Sequence, residues 1–151
     1  MAKTIGYFVT WTTYGAWLQG DKRGYVKKGK VLGENKSLYN INKMIQTSES
    51  VRLRKKERKI ISQAISKRAK ELGQAVLSIA VCSNHVHILL GYNGKPIEDC
   101  IRQYKTASYY TLKENGFNRK LWTRGYDVRF CFDEKHLKAV IEYVKRHGEG
   151  K

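Results

Sequence analysis

The sequence predicts an α+β fold: a ferredoxin-like, split βαβ antiparallel sheet with an additional C-terminal helix. Four short segments are rich in β-branched and aromatic residues, and three longer ones carry apolar residues at helical spacing. They follow one another in the order β-α-β-β-α-β-α, which is the order of the split βαβ fold plus one helix. We find no internal repeat, low-complexity tract or linker, so residues 1–151 are expected to form one domain.

The first half of the chain supplies one strand and one helix. Residues 5–12 alternate Tyr, Val and Trp with Phe and Thr, which is the period of a strand. Residues 14–43 are rich in Gly, Lys and Asn without a sustained period, so we expect a long loop with room for a hairpin. A helix over about 50–72 follows, capped by Ser48 or Ser50 and stopped by the next glycine. Its apolar stripe consists of Ile61, Ile65, Ala69 and Leu72.

Two strands and a helix come next. Residues 74–82 and 85–92 are apolar and β-branched, and only Ser83 and Asn84 separate them, so they form a tightly joined pair of strands. Pro96 fits the first turn of a helix over about 96–115, and a glycine follows at the stop position. Its stripe consists of Ile97, Ile101, Tyr104 and Ser108.

The chain ends with a strand and a helix. Residues 121–132 contain an alternation of large apolar residues with Asp and Arg, which predicts a strand. Asp133 then caps a last helix. The apolar stripe of that helix consists of Leu137, Val140, Ile141 and Val144.

The charge balance indicates a polyanionic partner. The chain has 30 Lys and Arg against 13 Asp and Glu, a formal net charge of +17, which is far more than solubility requires. Tyrosines and tryptophans among these cations suit single-stranded nucleic acid, whose bases stack on aromatic rings. A solubilising basic surface, or one attracted to anionic lipid, is the alternative.

Cellular location is inferred from what the sequence lacks. It has neither the apolar core of a signal peptide nor about 18 consecutive apolar residues, so we expect a soluble, cytoplasmic protein without a membrane partner. Cys82, Cys100 and Cys131 show no C-x-x-C spacing, so neither a disulfide framework nor a zinc ribbon is indicated.

Residues 84–90 read NHVHILL, which puts two histidines one residue apart in a strand. Because side chains alternate along a strand, His85 and His87 share one face, while Val86 and Ile88 point to the other. Same-face neighbours lie roughly 7 Å apart, which allows both imidazoles to reach one divalent cation. Two histidines bonded to solvent or backbone on a half-exposed sheet are equally consistent with this motif, so a third ligand decides.

The last helix carries the candidates for that third ligand. Tyr143 and His147 are spaced i and i+4 on one flank of the apolar stripe, so a phenol and an imidazole share a face. His136 lies on the same flank two turns earlier, as an alternative ligand or a spectator. Tyr143 is also consistent with a tyrosine at the edge of the core, and His147 with a cation near a helix C-terminus. If these residues complete the site, the terminal helix docks across the histidine pair.

The NHVHILL strand, the LWTRGYDVRF segment and a terminal helix with IEYVKRHG resemble the single-tyrosine HUH transposases of small insertion sequences, including the REP-associated tyrosine transposases. That family is named for a His-hydrophobic-His strand, and the early stretch TWTTYGAWLQGDKRGYV extends the resemblance over nearly the whole chain. The resemblance implies a bacterial, nucleoid-associated DNA transposase that acts as a homodimer. It also implies cleavage of single-stranded DNA with hairpin or palindromic ends, through a covalent 5′-phosphotyrosine.

Carried over residue by residue, the resemblance implies that His85 and His87 hold Mg²⁺ or Mn²⁺ and that Tyr143 is the nucleophile. His147 stands where the family often has Gln or Asn, and it is expected to be the third metal ligand, with a shift toward softer metals. The turn before the histidines departs from the frequent Met-Pro-Asn. Rival nucleophiles are Tyr104, Tyr109 and Tyr110.

Two groups of side chains are expected to contact DNA, with solvated surface as the alternative for each. The segment before the tyrosine helix contributes Trp122, Arg124, Tyr126 and Arg129. The start of the first helix contributes Arg52, Arg54, Lys55, Lys56, Arg58 and Lys59. Two other functions stay open: a non-catalytic, RRM-like module for single-stranded nucleic acid, and a zinc hydrolase, which the scarcity of Asp and Glu near the motifs disfavours.

Overall fold

A computed structural model describes residues 3–16 and 51–149 of the protein, with side chains up to residue 146. The described strands are β1 (Gly6–Thr12), β2 (Val76–Val81), β3 (His85–Gly91) and β4 (Asp127–Cys131). The described helices are α1 (Lys55–Glu71), α2 (Ile97–Glu114) and α3 (Glu134–Glu149). The strands form one antiparallel sheet in the order β2-β3-β1-β4. This is the split βαβ arrangement with an additional terminal helix, so the predicted fold class is confirmed.

Helices cover both faces of the sheet. Val9, Val86 and Ile88 point into a core shared with α1 and α2. Phe8 and Leu89 point the other way, into a core shared with α3. The alternation of the central strands therefore separates the two cores, and the face that carries the histidines lies against the terminal helix.

Gly6 lets α3 lie close to the sheet. A Cβ atom at this position would lie 2.9 Å from the carbonyl oxygen of Leu90 and 3.0 Å from Cδ1 of Leu137 in α3. Since the first of these neighbours is backbone, any side chain at Gly6 would require the strands or the helix to shift. The missing side chain thus permits the close contact between Leu137 and β1.

Helix α1 begins later than the apolar period predicts. Its N-cap is Arg54, whose backbone N–H donates to Oε1 of Glu57 at 2.8 Å. Val51 and Leu53 precede the helix as buried residues, and their N–H groups donate to carbonyls of the β1 extension and of the β2–β3 turn. These non-local bonds hold the segment out of the helix.

The other element boundaries agree with the sequence except at β4. The predicted strand began at residue 121, but residues 121–126 precede β4 and meet the end of β1 through a single bridge between Thr13 and Trp122. Gly73 and Gly116 end their helices with φ of +67° and +102°, as expected of stop glycines.

Two expectations fall outside the described residues. They are the long loop beyond residue 16 and the proposed caps Ser48 and Ser50.

Tyr104 gives a test of the core under α2. Its side chain is fully buried, and its hydroxyl donates to Oε1 of Gln74, which is also buried. Tyr104→Phe leaves that amide oxygen without its donor, so we expect a loss of about 1–3 kcal/mol of unfolding free energy in urea titrations. Tyr110→Phe, at an exposed position of α2, is the matched control and should change stability by less than about 0.5 kcal/mol.

The buried phenol of Tyr104 should also make the free energy of unfolding depend on pH. Burial raises the pKa of Tyr104 above its ordinary value, so the folded state disfavours the phenolate. The stability that the protonated phenol contributes is fully present below about pH 10, the pKa of an unfolded tyrosine, and is lost as the pH rises above it. Tyr104→Phe should show a shallower alkaline decline, and a decline as steep as that of the wild type would assign the effect to other groups.

Candidate active site

His85 and His87 lie side by side at the start of β3. Their ring centroids are 4.7 Å apart, with the ring planes at 72°. Both side chains are buried, and cross-strand pairing sets them opposite Thr12 and Thr10 of β1. The prediction that both imidazoles share one face is confirmed.

A hydrogen bond at Nδ1 orients each imidazole. Nδ1 of His87 lies 2.8 Å from Oγ1 of Thr10, and Nδ1 of His85 lies 2.8 Å from Oδ1 of Asn84. Thr10 and Asn84 are themselves buried. Because Nδ1 of each ring is engaged, Nε2 is the atom through which either histidine would coordinate a metal ion.

Tyr143 of α3 lies against this pair. Its ring centroid is 5.7 Å from that of His87 and 6.3 Å from that of Phe8. Burial, and to a smaller extent the nearby Cys82 thiol, raise the pKa of Tyr143 to about 12. The phenol is therefore protonated at neutral pH, and any attack by its oxygen must release that proton. The terminal helix docks across the histidines as its sequence predicts.

The described residues bring together two imidazoles that could serve as ligands for a metal ion. Among them no group of three His, Cys, Asp or Glu side chains could hold one. His147 lies one turn after Tyr143 in α3, but its side chain is outside the described part of the chain. His136 lies in the first turn of the same helix, where its backbone N–H donates to Oδ1 of Asp133 at 2.8 Å. Two imidazoles on one face fit a half-site for a divalent ion, with Mn²⁺ better matched to nitrogen ligands than Mg²⁺.

Arg129 and Asp127 of β4 share the face of the histidines. Their register partners on β1 are Phe8 and Thr10. Nε of Arg129 lies 3.0 Å from Oδ2 of Asp127, which is buried. Burial raises the pKa of Asp127, and the adjacent guanidinium partly offsets that rise. Sequence reasoning selected Arg129 but missed Asp127, although the alternation of β4 puts both on one face.

Two other residues of the predicted DNA-contacting segment lie on the opposite side of the sheet. The Trp122 ring packs edge-on against Trp11 at 5.8 Å, and its Nε1 donates to Oγ of Ser108 at 3.1 Å. Tyr126 is exposed, with Nζ of Lys105 5.7 Å from its ring centroid. The structure therefore does not bring Trp122 or Tyr126 to the histidine pair. Arg124, between them, is exposed.

The predicted basic residues of the first helix lie around the start of α1. Arg52, Arg54 and Lys56 line a cavity of about 330 Å³ together with Arg119, which follows α2. The remaining predicted cations there are Lys55, Arg58 and Lys59, of which Arg58 is half-buried. Because α1 and α2 cover the sheet face opposite α3, this basic surface is separate from the histidine pair.

The surface of the sheet itself gives no support to the RRM-like alternative. RRM domains stack bases on exposed aromatic residues of the central strands. Every residue of β1 is buried, and β3 is buried up to its last residue.

No disulfide links Cys82, Cys100 and Cys131, which are all buried. Within residues 3–16 and 51–149, no helix combines the length and apolar character needed to cross a membrane.

A sequence profile for the family described as "Transposase IS200 like" matches residues 36–147. The chain therefore belongs to the IS200-like transposases, a family of DNA-processing enzymes. No curated protein sequence matches the chain.

Two solved structures are similar in three dimensions. A REP-associated tyrosine transposase bound to a REP hairpin aligns over 98% of this chain and 72% of that one, with a TM-score of 0.55 and 11% identity. A candidate transposase from Deinococcus radiodurans R1 aligns over 98% and 93% of the two chains, with a TM-score of 0.49 and 17% identity. Because the sequence identity is 11%, the similarity to the REP-associated tyrosine transposase shows a shared fold.

Proposed function

We propose that this transposase is a metal-dependent endonuclease and strand transferase for single-stranded DNA. In this proposal Tyr143 is the nucleophile, and His85, His87 and His147 hold one Mg²⁺ or Mn²⁺ ion. The observation that carries it is the contact between the Tyr143 and His87 rings, at 5.7 Å between centroids. It joins a candidate nucleophile and a candidate metal ligand from two distant parts of the chain.

The reaction follows from the chemistry of a phenol. Oη of Tyr143 attacks a backbone phosphorus, and the bond from that phosphorus to the 3′ oxygen breaks. The phenolic proton passes to solvent and the leaving 3′ oxygen gains one, which gives a 5′-phosphotyrosine and a free 3′-OH. Since one phosphoester bond replaces another, a 3′-OH from a second DNA end can reverse the step and join strands without ATP.

A metal ion and two features of the chain would assist this step. A bound metal ion would polarise the phosphate and neutralise charge on its non-bridging oxygens. Arg129, which shares the face of the histidines, would contact the DNA backbone. The +17 net charge and the basic surface around α1 would hold the rest of the strand.

We further propose the form of the substrate and of the enzyme. The substrate is single-stranded DNA flanked by a hairpin or palindrome, a proposal supported by the REP hairpin bound to the structurally similar transposase. The active species is a homodimer that works in the bacterial cytoplasm at the nucleoid.

A covalent-adduct assay tests the proposal. The full-length protein and Mn²⁺ are incubated with hairpin-bearing single-stranded DNA, and a complex that survives denaturation is digested and mapped by mass spectrometry. We expect a nucleotide on the peptide that contains Tyr143, and no adduct in the presence of EDTA or with fully duplex DNA. An adduct on another tyrosine, or cleavage without any adduct, would refute the assignment.

A further inference from the structure

The two hydrogen bonds at Nδ1 bear on which tautomer each histidine adopts. A neutral imidazole carries one proton, and only the nitrogen without it can bind a metal ion. Metal-binding histidines usually donate their other N–H to a neighbouring acceptor, which fixes both tautomer and ring orientation. Asn84 and Thr10 lie at these positions in the present structure.

We propose that Asn84 and Thr10 are positioning residues that hold His85 and His87 in the Nδ1–H tautomer before any metal binds. The inference rests on the proposed metal site and specifies how this chain prepares it. With the proton on Nδ1, the ring lone pair that can bind a metal ion lies on Nε2.

For His85 the direction of the bond follows from the partner. The contact atom of Asn84 is its amide oxygen, which can only accept a hydrogen bond. Nδ1 of His85 must therefore be the donor. Asn84 is 6% exposed, so little water competes for its oxygen, and its place next to His85 in the turn keeps the two groups together.

For His87 the partner is a hydroxyl, which can donate or accept. The neighbouring strand favours acceptance by Thr10, because the register partner of Thr10 on β4 is Asp127, on the side of β1 away from His87. Directly opposite residues on one face have Cβ atoms roughly 5 Å apart. In this proposal the hydroxyl hydrogen of Thr10 points to the Asp127 side of β1, and the oxygen lone pairs accept Nδ1–H of His87.

The tautomers can be measured without metal and without DNA. Long-range ¹H–¹⁵N spectra of metal-free, full-length protein labelled in histidine report the protonated nitrogen of each ring, at about pH 8 where imidazoles are neutral. The chain has 4 histidines, so single substitutions assign the signals. We expect the Nδ1–H form for both His85 and His87. The Nε2–H form at either ring in the wild type would overturn the proposal for that ring.

Matched variants separate positioning from general damage. Thr10→Val should shift His87 toward the Nε2–H form and leave His85 unchanged, while Thr10→Ser keeps the hydroxyl and the wild-type tautomer. Asn84→Ala should shift His85 alone, and Asn84→Asp, which keeps an acceptor, should not. Variant spectra identical to the wild type would show that Thr10 and Asn84 do not control the rings.

Mn²⁺ binding distinguishes this inference from the proposed function. By electron paramagnetic resonance, Thr10→Val and Asn84→Ala should each weaken Mn²⁺ binding by about 10- to 100-fold, and Thr10→Ser should restore it. Nδ1–H tautomers in a protein that does not bind Mn²⁺ would refute the metal site but not the tautomer assignment. Mn²⁺ binding with Nε2–H tautomers would refute the inference alone.

Discussion

Tyr143→Phe is expected to abolish the covalent protein–DNA complex, with a fall in the rate of strand cleavage on the order of 10⁴-fold or more. The variant retains the aromatic ring and loses only the oxygen that would form the bond to phosphorus. The edge contacts of this ring with His87 and Phe8 do not need the hydroxyl. We therefore expect the unfolding free energy to stay within about 1 kcal/mol of the wild type.

Tyr110→Phe is the matched control for this experiment. Tyr110 is an exposed tyrosine of α2, on the other side of the sheet, so its hydroxyl should be dispensable for both cleavage and stability. Cleavage is followed with a labelled hairpin-bearing strand at saturating Mn²⁺, and folding by urea titration. Near-normal cleavage by Tyr143→Phe would exclude Tyr143 as the nucleophile and favour attack by a metal-activated water.

The sheet and the apolar stripe of α3 were predictable because they depend on local periodicity. Alternation along β3 assigns His85 and His87 to one face and Val86 to the other, whichever helix covers them. The stripe of α3 likewise orients Tyr143 without knowledge of its neighbours. The two periods therefore predicted which side chains share a face, and the docking of α3 on the histidine face followed only on the hypothesis that Tyr143 and His147 complete the site.

The rest of the site depends on contacts that no local pattern encodes. Thr10 and His87 are 77 residues apart in the chain, and a threonine in a strand has no feature that marks it as a partner of histidine. Whereas Thr10 was overlooked, Trp122 was wrongly selected as a residue near the DNA-contacting site. An aromatic residue among cations resembles a DNA contact, and only its packing on Trp11 and its bond to Ser108 reveal a place beside the core.

Phe8→Ala is expected to destabilise the protein by about 3–5 kcal/mol and to impair the site as well. Phe8 is 1% exposed, stacks on His87 with centroids 5.4 Å apart and meets Tyr143 edge-on at 6.3 Å. Truncation removes the ring that both groups contact, and the cavity lies between β1 and α3. The phenol and the imidazoles would then lose their fixed separation.

Ile88→Ala is the control that separates a loss of protein stability from a change in the geometry of the site. Ile88 is fully buried beside His87 in sequence, but it faces the core under α1 and α2, and its truncation should cost about 2–5 kcal/mol. At a temperature where urea titration shows both variants folded, Phe8→Ala should cleave DNA on the order of 10²-fold more slowly, whereas Ile88→Ala should cleave at close to the wild-type rate. Equal losses in the two variants would mean that global stability limits activity. A loss confined to Phe8→Ala would mean that the packing between sheet and α3 sets the distance from nucleophile to histidines.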